Sequence, residues 1–278
     1  MSGAETHAGY LALSYWDLVL AAALILVNGA ISLAFRLGIE RTLLIAALRM
    51  SVQLMAIGFV LKFIFAQTSP LWTGALVLVM TLIAGYEARA RQETPFRGFL
   101  AYGLGTATLL FAGVLGTLFG VAALVGADPW YSPRYVVPIL GMILGNSLTG
   151  ISLGLDNLTT SARRERAGIE AHIAMGAPRS LALAPIVRRA LRTAMMPIIN
   201  AMAASGVVAL PGMMTGQILS GVDPVEATKY QIMIMFLIAG TTGLGVLLAV
   251  LGGARLLSDE RHRLRLDRLA VPKRDQPE

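Results

Sequence analysis

The stretch DNLTTSARRERAGIEAHIAMGAPRSLALAPIVRRALR, residues 156–192, decides the fold. Seven arginines (Arg163, Arg164, Arg166, Arg179, Arg188, Arg189, Arg192) lie here, between two apolar segments, 136–155 and 194–209, that carry no charge. A patterned basic loop between uncharged runs of this length is the mark of a chain that crosses a membrane repeatedly.

Composition agrees. Apolar residues make up 56% of the 278 residues and charged residues 14%, where soluble domains carry roughly 25% charged. The apolar residues fall in seven runs: 18–35, 43–65, 71–86, 99–125, 136–155, 194–209 and 230–251. A helix needs about 20 residues to cross about 30 Å of hydrocarbon, and lipid offers no hydrogen bonds to an open backbone, so these runs are predicted helices. The third and sixth are short and need flanking residues to reach across. The net charge of +7 sits in the loops between runs, so a nucleic-acid partner is not expected. The chain has no cysteine, which removes disulfides, thiolate metal sites and a cysteine nucleophile. Residues 1–16 hold no Lys or Arg and so lack the basic start of a cleaved signal peptide; the first run reads as a permanent anchor.

The basic residues orient the bundle. One set of alternate connections holds Arg36, Arg41, Arg89, Arg91, Arg97, the seven arginines of the long loop and seven more basic residues after position 254; the other holds Lys62, Arg134 and Lys229. The totals, 19 against 3, predict the long loop and the basic tail, 255–278, in the cytoplasm and the N-terminus outside.

Within the long loop, residues 163–175 read as a helix that Gly176 ends in a left-handed cap. Pro178 suits the first turn of the next helix, where a missing amide donor costs nothing. That helix sets Leu183, Ile186, Val187, Ala190 and Leu191 on one face and Arg188, Arg189 and Arg192 on the other. The expectation is a helical hairpin, 156–192, against the membrane. Its arginines also suit a helix resting on anionic headgroups. Glu170-Ala171-His172-Ile173-Ala174-Met175-Gly176 resembles the EAA loop of ABC importer permeases, in which Glu-Ala-Ala is followed three residues later by Gly. Downstream the chain departs from that pattern, with Ile186-Val187-Arg188-Arg189 where the loop often has Ile-x-Leu-Pro.

Two apolar segments are richer than spanning requires. Gly141 and Gly145, then Gly150 and Gly154, form small-xxx-small pairs that let backbones approach closely. Asn146 is polar at membrane depth and should face protein or a water path. Residues 194–222 are 29 uncharged residues in a row, too many for one crossing, and Pro211-Gly212 is predicted to break or kink them. Broken helices recur at transport sites. Met213 and Met214 offer soft thioethers, and Thr215 and Gln217 offer oxygens; methionine is also ordinary gap-filling core. Arg49 and Gln53, one turn apart in the second segment, mark the bundle interior or an interfacial snorkel. No Asp or Glu lies within a span, which argues against a carboxylate proton relay.

These residues together resemble the FetB-type (YbbM) ABC permeases. The resemblance is carried by Arg49-x3-Gln53-Leu54, Pro138-Ile139-x-Gly141-Met142-x2-Gly145-Asn146, the Glu170 to Gly176 loop, Leu210-Pro211-Gly212-Met213-Met214-Thr215-Gly216-Gln217-Ile218 and Asp223-Pro224-x2-Ala227-x2-Tyr230-Gln231-Ile232. It covers nearly the whole chain. That family includes a bacterial iron exporter and a plant half-transporter tied to aluminium tolerance. The resemblance implies a homodimeric permease paired with a separate FetA-like ATPase that binds the ATP, in a bacterial cytoplasmic (inner) membrane, with iron or a related metal ion as cargo.

The chain has no ATPase site of its own: a P-loop needs Gly-Lys-[Ser/Thr], and its three lysines follow Leu61, Thr228 and Pro272. A secondary transporter would call for intramembrane carboxylates or histidines. His7, His172 and His262 lie outside the runs, which leaves no buried catalytic or metal-histidine set. A membrane scaffold, or a permease for a non-metal cargo, stays open. The expected fold is all-α: a polytopic membrane helix bundle of about seven helices forming one permease domain, 1–278. The resemblance implies that Glu170, Ala171 and Gly176 couple to the ATPase, and Met213, Met214, Gln217 and Asn146 are the expected lining of the metal path. No cofactor and no catalytic residue are expected; membrane lipid is the remaining partner.

Overall fold

Apolar runs in a medium without hydrogen-bond partners close their backbone bonds on themselves, and the chain does so almost throughout. A computed structural model describes residues 14–65, 69–259, 261 and 263–271, and the regular elements among them are helices. Expectations that fall on residues 1–13, His262 and 272–278 lie outside the described residues. The helices are α1 Tyr15–Ala34, α2 Glu40–Phe65, α3 Pro70–Ala90, α4 Phe99–Leu118, α5 Pro133–Arg164, α6 Arg166–Ala174, α7 Arg179–Ala204, α8 Gly212–Leu219 and α9 Pro224–Leu256. α4 runs on into a π-helical stretch, Phe119–Val125.

Among the described residues, six helices are long and apolar enough to cross a membrane: α1, α2, α3, α4 with its extension, α5 and α9. The chain is a polytopic helical membrane protein. The predicted sixth segment, 194–209, takes a different form. Residues 194–204 of it are the C-terminal part of α7, whose first fourteen residues include Arg179, Arg188, Arg189 and Arg192, so the whole helix is less apolar than the six.

Two compact units divide the chain: Met1–Thr68 with Gly216–Asp223, and Ser69–Thr215 with Pro224–Glu278. In the first, α1 and α2 form an antiparallel pair. Ser14 and Asp17 close a capping box at the start of α1, satisfying amide donors the first turn would leave open. At the other end the Ser32 hydroxyl donates to Glu40 Oε2 at 2.7 Å and accepts from the Ile39 amide at 3.2 Å, tying the turn between the helices.

In the second unit α5 is the central post, packed against α3, α4, α7 and α9. Leu140, Leu144, Leu148, Ile151, Leu155 and Leu158 recur at helical spacing along its buried face. Ile186, Ala190 and Ala194 of α7 and Val246, Ala249 and Val250 of α9 meet them in one core. Small residues set how closely the helices approach. A Cβ on Gly150 would stand 2.8 Å from Val246 Cγ2 and 3.1 Å from the Ala194 carbonyl oxygen; one on Gly154 would stand 2.9 Å from Val250 Cγ2. The other predicted pair behaves differently, since Gly145 is exposed with nothing within 4 Å and Gly141 meets only Met80 at 3.7 Å. With 32 residues, α5 is about 48 Å long at 1.5 Å per residue, well beyond about 30 Å of hydrocarbon. Its basic end therefore projects past the apolar zone, and α7 begins beside it.

Candidate functional site

The projecting ends of α5 and α7 are joined by α6. α5 stops at Arg164, Glu165 serves as the break, and α6 follows at once. The predicted helix over 163–175 is thus the last turn of α5 plus α6, and the second arm of the hairpin is continuous with the apolar part of α7. Gly176 has φ +88°, the left-handed conformation expected of it. Its amide donates to the Ile173 carbonyl at 2.9 Å and the Ala177 amide to the His172 carbonyl at 3.0 Å, a Schellman motif. Pro178 sits at the N-cap of α7 rather than inside its first turn.

α6 has an anchored side and an open one. Ile169 is buried and Ile173 packs on the core. Glu170, Ala171, His172, Ala174 and Gly176 are exposed, and Met175 keeps 75% of its surface in the open. Glu170 pairs with Arg166 at 2.8 Å, one turn back on the same helix, and Glu165 pairs with Arg189 of α7. The predicted faces of α7 hold: Leu183, Ile186 and Ala190 are buried, while Arg188, Arg189 and Arg192 are exposed.

The predicted break in 194–222 is present, with its position shifted. α7 ends at Ala204, Gly206 takes φ +89°, and α8 begins only after Pro211. Pro211-Gly212 opens a helix rather than ending one, because a proline at a helix start gives up a donor that would be unpaired there anyway. Met213 packs on a second core cluster formed by Val121, Ile143, Ile198, Ile234 and their neighbours, which Met142, Met195, Met233 and Met235 also border. The Met214 sulfur stands 4.0 Å from the Thr228 hydroxyl. The Gln217 Oε1 is buried with no hydrogen-bond partner among the described residues, and so is Gln231 Oε1. Asn146 donates to the Met142 carbonyl of its own helix at 2.8 Å. Arg49 and Gln53 are exposed on α2. Among the described residues no group of three or more His, Cys, Asp or Glu could hold a metal ion.

The sequence profile of the family described as Uncharacterised protein family (UPF0014) matches residues 15–257. The chain belongs to the UPF0014 family. It is 33% identical to the Probable iron export permease protein FetB of Escherichia coli (strain K12), over 89% of this chain and 93% of that protein. It is 36% identical to UPF0014 membrane protein slr1647 of Synechocystis, over 80% of this chain and 86% of that protein. To UPF0014 membrane protein STAR2 of rice it is 35% identical, over 83% of this chain and 79% of that protein. No solved structure matches it.

This UPF0014 chain also has features that the sequence reading missed. The predicted basic tail is, as far as Val271, a strap folded back on the bundle. Leu257 and Leu269 are buried, and Leu264 and Leu266 pack on the core. Its backbone pairs with the α3–α4 connection, Arg97 N to Arg268 O at 2.7 Å and Ala270 N to Pro95 O at 2.8 Å. The alternation of arginine with leucine over 263–266 is the signal that could have revealed it. Beside α6, a polar cavity of about 390 Å³ is lined by Asp156, Asn157, Thr160, Arg164, Glu165 and Arg189. Asp156 also accepts the Glu93 amide at 2.6 Å.

Proposed function

We propose that this UPF0014 protein is the membrane-spanning permease subunit of an ABC transporter. It works as a homodimer with a separate FetA-like ATPase in a bacterial cytoplasmic (inner) membrane. The observation that carries the reading is α6, a short helix held by Ile169 and Ile173 at the projecting ends of two long helices, its Glu170, Ala171 and Met175 surface open. A groove on an ATPase that grips this surface moves α5 and α7 together, because each runs without interruption from α6 into the apolar zone. The excess of arginine at this end supports a cytoplasmic location for α6 and the strap, with the N-terminus outside.

Iron, or a related metal ion, is the proposed cargo and export the direction. The name carried by the Escherichia coli relative supports this, as do the neutral donors beside the broken segment. An exporter has to release its ion, and thioethers and amide oxygens bind more weakly than carboxylates or thiolates. Met213, Met214 and Gln217 on α8 are such donors in sequence, and Asn146 on α5 is a further neutral one. Gln53, exposed in mid-helix on the single chain, supports a second copy against α2, since a side-chain amide at membrane depth turns toward protein or water.

The deciding experiment is co-purification of the full-length chain with a co-expressed FetA-like ATPase. Replacing Ala171 or Met175 by Arg should release the ATPase while membrane insertion and yield stay at the wild-type level. Retention of the ATPase by both variants would remove α6 from the coupling role.

A further inference from the structure

A groove between α7 and α9, about 400 Å³ in volume, is floored by Leu183, Ala184 and Val187 on one side and Leu251 and Ala254 on the other. Arg179, Arg188 and Arg255 stand at its rim. Arg179, Arg255 and Ser258 also line an adjoining cavity of about 500 Å³, where Arg261, Arg263 and Arg268 of the strap join them. Among the described residues, Asp259 is the acidic one in that lining. Its carboxylate is engaged within the strap, accepting from the Arg261 amide at 3.0 Å and from the Arg263 amide and Nε at 2.9 Å each. Among the described residues, five arginines and one carboxylate line this concave site, an excess of positive charge.

The apolar part has a direction. Leu244, Leu247, Leu248 and Leu251 are exposed along α9 at helical spacing, and the next position on that stripe is Arg255. An apolar track that ends in a cluster of guanidinium groups matches a molecule with a hydrocarbon chain and an anionic phosphodiester. We propose that this is a binding site for one anionic phospholipid, its acyl chain in the α7–α9 groove and its phosphate among Arg179, Arg255 and the strap arginines. An acidic protein segment would use the arginines but has no need of an apolar floor continuous with the outward stripe of α9.

The bound lipid ties the strap to the two helices that flank it. Arg179 of α7 already donates to the Asp259 carbonyl at 2.9 Å and Arg268 to the Leu256 carbonyl at 2.9 Å. A phosphate between them adds contacts to elements already held together.

The test is native mass spectrometry of the full-length chain in detergent, titrated with palmitoyl-oleoyl phosphatidylglycerol, with the matching phosphatidylcholine, and with inorganic phosphate. Phosphatidylglycerol should be retained on the order of tenfold or more over phosphatidylcholine. The Arg255→Gln/Arg261→Gln double variant should lose that preference. Ala184→Phe, which fills the groove and alters no charge, should weaken phosphatidylglycerol by a similar factor and leave phosphate binding unchanged. Gel filtration and helical circular dichroism establish that both variants are folded. Equal retention of the two lipids overturns the proposal. So does displacement of phosphatidylglycerol by phosphate with no effect of Ala184→Phe, which would make this a simple anion site. Loss of the ATPase with phosphatidylglycerol still bound in the double variant would make it a protein-docking face instead.

Discussion

The Arg163 guanidinium donates through Nη2 to the Ala270 carbonyl at 2.6 Å, joining the end of α5 to the C-terminal strap across 107 positions of sequence. The strap also pairs with the α3–α4 connection on one side and closes over α9 on the other. The basic end of the second unit is therefore a braced cap from which α6 projects.

Removing the brace should loosen the cap and spare the bundle. Arg163→Met deletes a hydrogen bond from a charged donor, a loss of about 1.5 to 3 kcal/mol. Limited proteolysis should cut the strap faster in the variant, while the far-ultraviolet spectrum stays helical. Unchanged cleavage would mean that Leu257 and Leu269 hold the strap without it.

Acid should weaken the same cap. Arg265 holds the Asp267 carboxyl down to about 2, mainly by a side-chain hydrogen bond, against an ordinary value of 3.8. Asp259 is lowered as well, first by the Arg263 backbone amide. A depressed folded-state pKa stabilises the fold above the unfolded value and loses that contribution as pH falls through the folded one. Strap protection should therefore be complete at neutral pH and fall from about pH 3.8 toward about pH 2. The Asp267 carboxylate is solvent-exposed, so its effect should be small, and Asp267→Asn should lessen the pH dependence. A steeper loss at higher pH would point to other groups.

The two glycine pairs of α5 should respond oppositely. Gly150→Val places new atoms against Val246 and the Ala194 carbonyl, and overpacking of that kind costs about 1 to 3 kcal/mol. Gly145→Ala meets nothing within 4 Å and, in mid-helix, should be neutral or stabilise slightly. Thermal unfolding in detergent measures both, and equal midpoints would contradict the packing of α5 on α7 and α9.

Gly176→Val forces a β-branched residue to φ +88°, a strain of about 1 to 2 kcal/mol. The expected outcome is a distorted turn and weaker recovery of the ATPase at unchanged yield. Wild-type recovery would show that the turn tolerates a side chain and that coupling does not depend on its conformation.

A Met213→Ala/Met214→Ala variant should lose metal resistance in cells at unchanged expression, and Gln217→Leu should weaken it. Intracellular metal content, measured by elemental analysis, reads this directly. Wild-type content in both strains would leave the methionines as packing around the second core cluster.

What was legible in the sequence was local. A helix ended by Gly176, a break within 194–222, an arginine face on α7 and membrane helices throughout each follow from residues within a turn or two of one another, because backbone bonding and side-chain periodicity act over that range. The sequence placed the break at Pro211, where the chain puts it at Gly206, since both residues interrupt a helix and only the surrounding structure chooses between them. Tertiary structure alone decided which glycine pair is a contact: Gly141 and Gly145 read like Gly150 and Gly154, and the difference is whether Ala194 and Val246, on other helices, stand against them. It also decided that Arg163 anchors a strap whose residues lie more than ninety positions away. Pairings across such separations are selected by the shape of the whole bundle, and no short window of sequence contains that shape.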